Sequence, residues 1–363
     1  MTDVTVSMDP GNLGPLPRPA SEPWNAKNPT RSAKILLAST LPALVSLAIA
    51  FLAKLDPAVA MILVFLPLQI IASVWVGVNL YGKKGFADAL LVVFTIFFSA
   101  FVGILLTSVV WSVVSQGLHA MSLQFVTQNN IYITPTTSLD YGGVGHAMLG
   151  TILIVGFTTL LTVPLGLLVA VYLTETTSKL RTVVRTLVQA MSGLPSVVAG
   201  LFIYSALIVQ FHISYGGWLG SLALLPLMLP TVSRVAEEAL RLVPQELRNG
   251  ALALGAPAYR AFLQVTLPAA RTGLVTAVIL GIARVIGETA PLILTVNNAN
   301  GTVLDLGKPM ASLPTYIFQF IANSNDTSTS RAWGAALMVL ILVTILFTAA
   351  RLVGRDKRTA KRK

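Results

Sequence analysis

Cysteine is absent from the 363 residues, which excludes disulfides, thiolate metal sites and cysteine nucleophiles, and leaves the redox compartment unread. Charge is scarce as well: 11% Asp, Glu, Lys and Arg, against roughly 25% in an ordinary soluble domain. No G-x-x-x-x-G-K-[ST] phosphate loop occurs, so the chain carries no such site for ATP. Its three histidines, His119, His146 and His212, are scattered without H-E-x-x-H spacing, and no metal site is expected; a polar role at a membrane interface is the simpler reading. Met1 to Lys34 is polar, rich in Pro and Asn, and has no apolar run that could act as a signal peptide, so a disordered cytoplasmic leader is expected there.

What is present is apolar. Hydrophobic residues make up 55% of the chain and mean hydropathy is +0.77. About 20 mainly apolar residues cross a hydrocarbon core about 30 Å thick, and eight segments qualify: 35–53, 57–80, 89–114, 146–173, 187–211, 218–232, 272–296 and 332–350, the sixth being short. The expected fold is an all-α, polytopic membrane helix bundle. With both termini cytoplasmic, 21 of the 25 Lys and Arg fall on the inner side, and 115–145 contains none. The net charge of +11 therefore reads as a topology signal, not as an affinity for nucleic acid. Four regions follow: the leader 1–34, an additional transmembrane hairpin 35–88, a six-helix core 89–350, and a basic cytoplasmic tail 351–363.

The inner loop 234–271 is too long for a connector. After Pro244, Leu247, Ala251 and Leu254 share a helical face, and Gly255 stops the helix; Pro257 opens a second one through Thr266, closed by Leu267 and Pro268. Interfacial helices would fit that periodicity equally.

The order of residues is more specific. Asn249-Gly250-Ala251, then Gly255, then Val265-Thr266-Leu267-Pro268 resembles the E-A-A loop of ABC importer permeases. Leu240 to Pro244, Glu246-Leu247-Arg248, Ala253-Leu254-Gly255, and Ile282-Ala283-Arg284 with Gly287 to Leu292 resemble the A-type permease of the phosphate-specific transport system. Gly193 to Ser196, Met310 to Pro314 and Trp333 to Ala336 agree in order, and the likeness runs from about Ala89 to Arg351.

That resemblance implies a type I ABC importer permease with a cytoplasmic coupling-helix loop, in a bacterial or archaeal plasma membrane. Its partners would be a sister permease in a heterodimer, two ATPase subunits that use ATP and Mg, and an external phosphate-binding protein; no cofactor would be bound by this chain. Leu247, Arg248, Asn249, Gly250, Ala251, Gly255, Leu267 and Pro268 would form the ATPase coupling loop. The sequence departs from the family pattern at Asn249-Gly250, which replaces Glu-Ala, removing a carboxylate and adding a glycine that costs a helix about 1 kcal/mol relative to alanine.

Arg284 falls near the middle of the seventh segment, where a charge is expensive, with Glu288 one turn on. Two readings stand. The pair is a buried salt bridge that aligns neighbouring helices, or Arg284 attracts the anion by its planar fork while Glu288 weakens the grip and accepts from a P–OH group. Pro291 should bend that helix, and Pro195 should free the Met191 carbonyl in the fifth. Arg234 resembles a second functional arginine of the family, or else pairs locally with Glu237 and Glu238. A permease for another oxyanion or small solute, a gradient-driven secondary transporter and an intramembrane enzyme are the competing functions; no catalytic carboxylate pair, triad or metal set supports the last.

Overall fold

The computed structural model describes residues 29–354 apart from Leu55 and Ser324. The leader's residues 1–28 and the tail's residues 355–363 lie outside that range. Among the described residues every regular element is helical. Among the described residues seven helices are long and apolar enough to cross a membrane, and a bent helix pair makes the number eight if it counts as one span.

The chain divides into two compact units after Ser108. The first begins with α1 (Pro29–Leu52), so helix already covers the last residues assigned to the leader. After α2 (Pro57–Ala60) and a π-helical turn (Met61–Phe65), α3 (Leu66–Tyr81) packs against α1. Gln69 Nε2 on α3 donates to the Ala38 carbonyl and to Ser73 Oγ, both at 3.0 Å. Gly82 then turns the chain into α4 (Lys83–Ala120), which is longer at both ends than the predicted 89–114 and crosses the unit boundary.

In the second unit, α5 (Leu123–Thr127) leads to the long α6 (Gly145–Glu175). Next come α7 (Leu180–Ser192) and α8 (Ser196–Ile203), the latter running on as a π-helix over Tyr204–Gln210. A bend of 101° separates α7 from α8, so the expected continuous span 187–211 is not one helix. Pro195 has extended backbone and no N–H to donate, so the turn ends instead of kinking; Leu194 N–H caps the Met191 carbonyl that was expected to be free.

The sixth segment, expected to be short, is α9 (Gly217–Arg241), 25 residues long and the most buried of the spans. It packs on α6, α7, α8 and α12 (Leu267–Val285). Sequence hydropathy underrates it because a central helix is covered by protein, and its polar residues meet neighbours instead of lipid. Val232 of α9 sits between two glycines. A Cβ on Gly166 of α6 would lie 2.8 Å from one Val232 methyl, and a Cβ on Gly281 of α12 would lie 2.6 Å from the other. Small residues let helices approach where hydrophobic transfer gives no drive between them.

The seventh segment is also broken. Helix α12 ends at Val285, and α13 (Ala290–Thr295) restarts with Pro291 in its first turn, where a missing N–H costs nothing. The break is therefore complete, not the bend that Pro291 alone suggested. Gly200 of α8 packs on Pro291, with room for no Cβ between them: it would lie 2.5 Å from Pro291 Cα.

Between α9 and α12 runs the loop helix α10 (Gln245–Ala253), followed by α11 (Ala258–Ala261) and a π-helical turn (Phe262–Thr266) that continues into α12. Leu267 and Pro268 thus do not close the second loop helix. Leu267 N–H reaches back five residues to Phe262, and this widened turn accommodates Pro268 at the start of α12. At the opposite end, α14 (Leu313–Ile321) is held by a Ser312–Thr315 capping box, and α15 (Asp326–Gly354) completes the unit. Arg331 of α15 is fully buried there, its Nη2 donating to the carbonyls of Ser138 at 2.8 Å and Tyr141 at 2.6 Å.

Replacing Gly281 by leucine should push α12 off α9 through Val232. Membrane-inserted protein should fall several-fold by quantitative immunoblot, the overpacking cost being about 1–3 kcal/mol or more. The same change at Gly103, whose Cβ position is open, should leave the amount unaltered.

Candidate functional site

Helix α7 has Arg181, Arg185, Gln189 and Ser192 along one face, three and four residues apart, and exposed Val183 and Leu187 on another. Its polar face turns toward α9 and borders a cavity of about 770 Å³ at the α10 end of the second unit. The charged residues lining the cavity are Arg185 from α7, Arg234, Glu237, Glu238 and Arg241 from α9, and Arg284 from α12. Four guanidinium groups face two carboxylates.

Glu237 organises two of those arginines. Its Oε1 accepts from Arg185 Nη2 and from Arg241 Nη2, each at 2.6 Å, while its side chain is only 14% exposed. The expected local pairing of Arg234 with Glu237 or Glu238 is not made: among the described residues neither Arg234 nor Arg284 has an ion-pair partner, and both are exposed to the cavity. Arg234 also lies seven residues before the end of α9, about 10 Å along the axis, and not at its tip.

Arg284 and Glu288 are not brought together as an ion pair. The i,i+4 spacing holds only on a continuous helix, and α12 stops one residue after Arg284. Glu288 stands in the break, half-buried, with its N–H on the Val285 carbonyl, and does not line the cavity. The pair is thus separated by the fold: one charge in the cavity, the other beside α13.

The loop residues form a second site. Gly255 has φ +83°, a left-handed conformation that lets Ala256 N–H close onto the Ala251 carbonyl at 3.1 Å. Leu247 is half exposed, Asn249 and Gly250 are exposed, and Leu254 is 90% exposed at the tip, whereas Ala251 and Leu267 are partly covered and Pro268 is exposed on the helix beyond. Arg248 does not point outward with them. It grips Glu175, the last residue of α6, by two bonds: Nη1 to Oε1 at 2.9 Å and Nη2 to Oε2 at 2.5 Å. A forked guanidinium–carboxylate pair fixes orientation as well as distance, so α10 is tied to α6.

Sequence reasoning missed Glu175 and Arg185, and it considered Glu237 only as a partner of Arg234. The Glu237–Arg241 spacing and the polar stripe of α7 were legible signals; the Glu175–Arg248 pairing, 73 residues apart, was not. Of the histidines, His119 Nδ1 contacts the Ser115 carbonyl at 2.8 Å, but His146 is buried edge-on to Tyr316 and its Nδ1 has no hydrogen-bond partner among the described residues. It is therefore a core residue, buried near the start of α6. No group of three His, Asp or Glu that could hold a metal occurs among the described residues.

A central helix between two broken ones, a lined cavity and a loop helix tied to the bundle make up the arrangement seen here. The family model of binding-protein-dependent transport system inner membrane components matches residues 162–359, more than half of the chain. The phosphate transport system permease protein PstA 1 of Mycobacterium tuberculosis is 38% identical over 264 residues, 71% of this chain and 86% of that protein. The chain belongs to the phosphate transport system permease family. The PstA proteins of Mycobacterium leprae and Yersinia pestis are 39% and 34% identical, over 68% and 69% of this chain and 82% and 84% of their own lengths. A solved chain of the MetNI methionine ABC transporter, inward facing, aligns with 59% of this chain and 93% of its own at 21% identity and TM-score 0.47. The protein is accordingly a membrane-spanning permease subunit of a phosphate ABC importer, and the residues of both sites described above lie in the family-matched region.

Substituting valine at Gly255 places a β-branched residue at φ +83° and strains the turn. Limited trypsin digestion should cut at Arg248 or Arg260 several-fold faster, and Arg248→Gln, which removes one of those sites, should be cut several-fold faster at Arg260 through loss of the tie to Glu175. Unchanged cleavage would contradict the anchoring assigned to these residues.

Proposed function

We propose that the cavity at the α10 end is a station on the phosphate pathway and that Arg284 and Arg234 are the groups that hold the anion there. The observation that carries this is that both arginines, without an ion-pair partner among the described residues, line the same cavity from adjacent helices. A guanidinium in a membrane-embedded bundle is expensive unless it faces water or a ligand, and two forks facing one space suit an oxyanion with several equivalent oxygens. Arginine offers paired donors where lysine offers a point charge. In this reading Glu288, in the break between α12 and α13, accepts from a P–OH, which sulfate lacks.

In this reading the chain forms half of the pathway with a sister permease, and α10, with Leu247, Asn249, Gly250 and the projecting Leu254, docks on one of two ATPase subunits that use ATP and Mg. The chain itself is non-catalytic and binds no cofactor. An external phosphate-binding protein delivers the anion at the α14 end. Both termini and α10 face the cytoplasm, supported by the 21 of 25 Lys and Arg that then lie inside. The Arg248–Glu175 fork would pass movement of α10 directly to α6.

The decisive measurement is labelled-phosphate uptake normalised to complex in the membrane. Arg284→Gln and Arg234→Gln should each lower it at least about tenfold, the effect of losing one charge-assisted, two-pronged contact, and Arg284→Lys should recover only part. Sulfate in excess should not compete. Near-normal uptake by Arg284→Gln would reject the pathway, and competition by sulfate would favour a general oxyanion permease. Reporters fused after residue 173 and at residue 363 should read cytoplasmic, and one within 115–145 external.

A further inference from the structure

Arg234 and Arg284 are not alone in the cavity, and the other two arginines are engaged by the same carboxylate oxygen. Resting on the pathway reading above, we propose that Glu237 is an internal counter-anion, which competes with the transported phosphate for Arg185 and Arg241 and so sets how readily the anion leaves. The geometry has three parts. Glu237 Oε1 lies 2.6 Å from each guanidinium, the distance of a strong charge-assisted bond. Both arginines remain 38% and 49% exposed, so an anion in the cavity can engage their remaining N–H donors first and then displace the Glu237 carboxylate from them. The cavity therefore offers phosphate two uncommitted arginines and two committed ones.

Four unopposed guanidinium groups would make a trap. Tight, uniform binding of a solute retards its passage, and conduction needs sites weak enough to leave. Glu237 occupies the place a phosphate oxygen would take, lowers the field that the anion feels, and reclaims Arg185 and Arg241 as the anion departs. Since Arg185 is on α7 and Glu237 and Arg241 are on α9, the exchange also loosens and restores a link between the bent-in helix and the central one. A purely structural bridge makes the opposite prediction: its loss weakens the assembly and gains nothing in affinity.

The test uses the assembled permease–ATPase complex without the external binding protein, whose own phosphate binding would mask the signal. Equilibrium binding of labelled inorganic phosphate to Glu237→Gln should be about tenfold tighter or more, the scale of one charge removed beside a divalent ligand in a solvent-screened cleft, while maximal uptake in cells falls. Glu237→Asp, which keeps the charge, should return affinity toward the unsubstituted value. Glu238→Gln removes an equal charge from the same cavity but pairs with no arginine among the described residues, and should shift affinity less. Unchanged or weaker phosphate binding by Glu237→Gln overturns the inference, as does an equal gain from Glu238→Gln. Arg284→Gln separates the two levels: if it transports normally the pathway itself is wrong, whereas loss of uptake there with no tightening in Glu237→Gln leaves the pathway standing and removes only the competition.

Discussion

Hydrocarbon offers no partner to a backbone amide or carbonyl, and that constraint governs where this bundle can be irregular. Two of its passages are broken, α7 to α8 at Gly193–Pro195 and α12 to α13 at Gly287–Thr289. Each break exposes backbone groups that lipid could not satisfy. Both broken passages pack on α9, and they meet each other at Gly200 and Pro291. The burial of α9 is thus the condition for the breaks. Val232, held between Gly166 and Gly281, brings α6, α9 and α12 close enough to enclose them.

The breaks place the charges. Bending the chain by 101° before α8 lays the polar face of α7 beside α9, which brings Arg185 to Glu237. Ending α12 at Val285 leaves Arg284 facing the cavity and sends Glu288 elsewhere. On an unbroken helix the two would neutralise one another at i,i+4 spacing. The loss of helix therefore leaves a cationic cavity, and the residual acidity within it comes from α9 through Glu237 and Glu238.

Force and charge have separate supports. The loop helix α10 is joined to the bundle by the Arg248–Glu175 fork at the end of α6, while the cavity is lined by the Arg185–Glu237–Arg241 cluster between α7 and α9. Surface ion pairs contribute little to stability as a rule, the usual figure being about 0–1 kcal/mol. Their use here is positional: each ties an amphipathic or loop helix to a membrane helix at one point.

Composition and periodicity determined the all-α membrane class, the approximate positions of most apolar helices and the loop helix ending at Gly255, because a bilayer imposes length and polarity on the chain locally. Motif order in the sequence also placed it in its permease family. What only the tertiary structure decided is which charges are partnered. Glu237 chose Arg185, 52 residues away, and Arg241 over the adjacent Arg234; Arg248 chose Glu175, 73 residues away; Arg284 and Glu288 parted. Helical spacing states which side chains can meet if a helix continues, but whether it continues depends on a neighbouring helix that shelters the broken backbone, and that neighbour is supplied by packing.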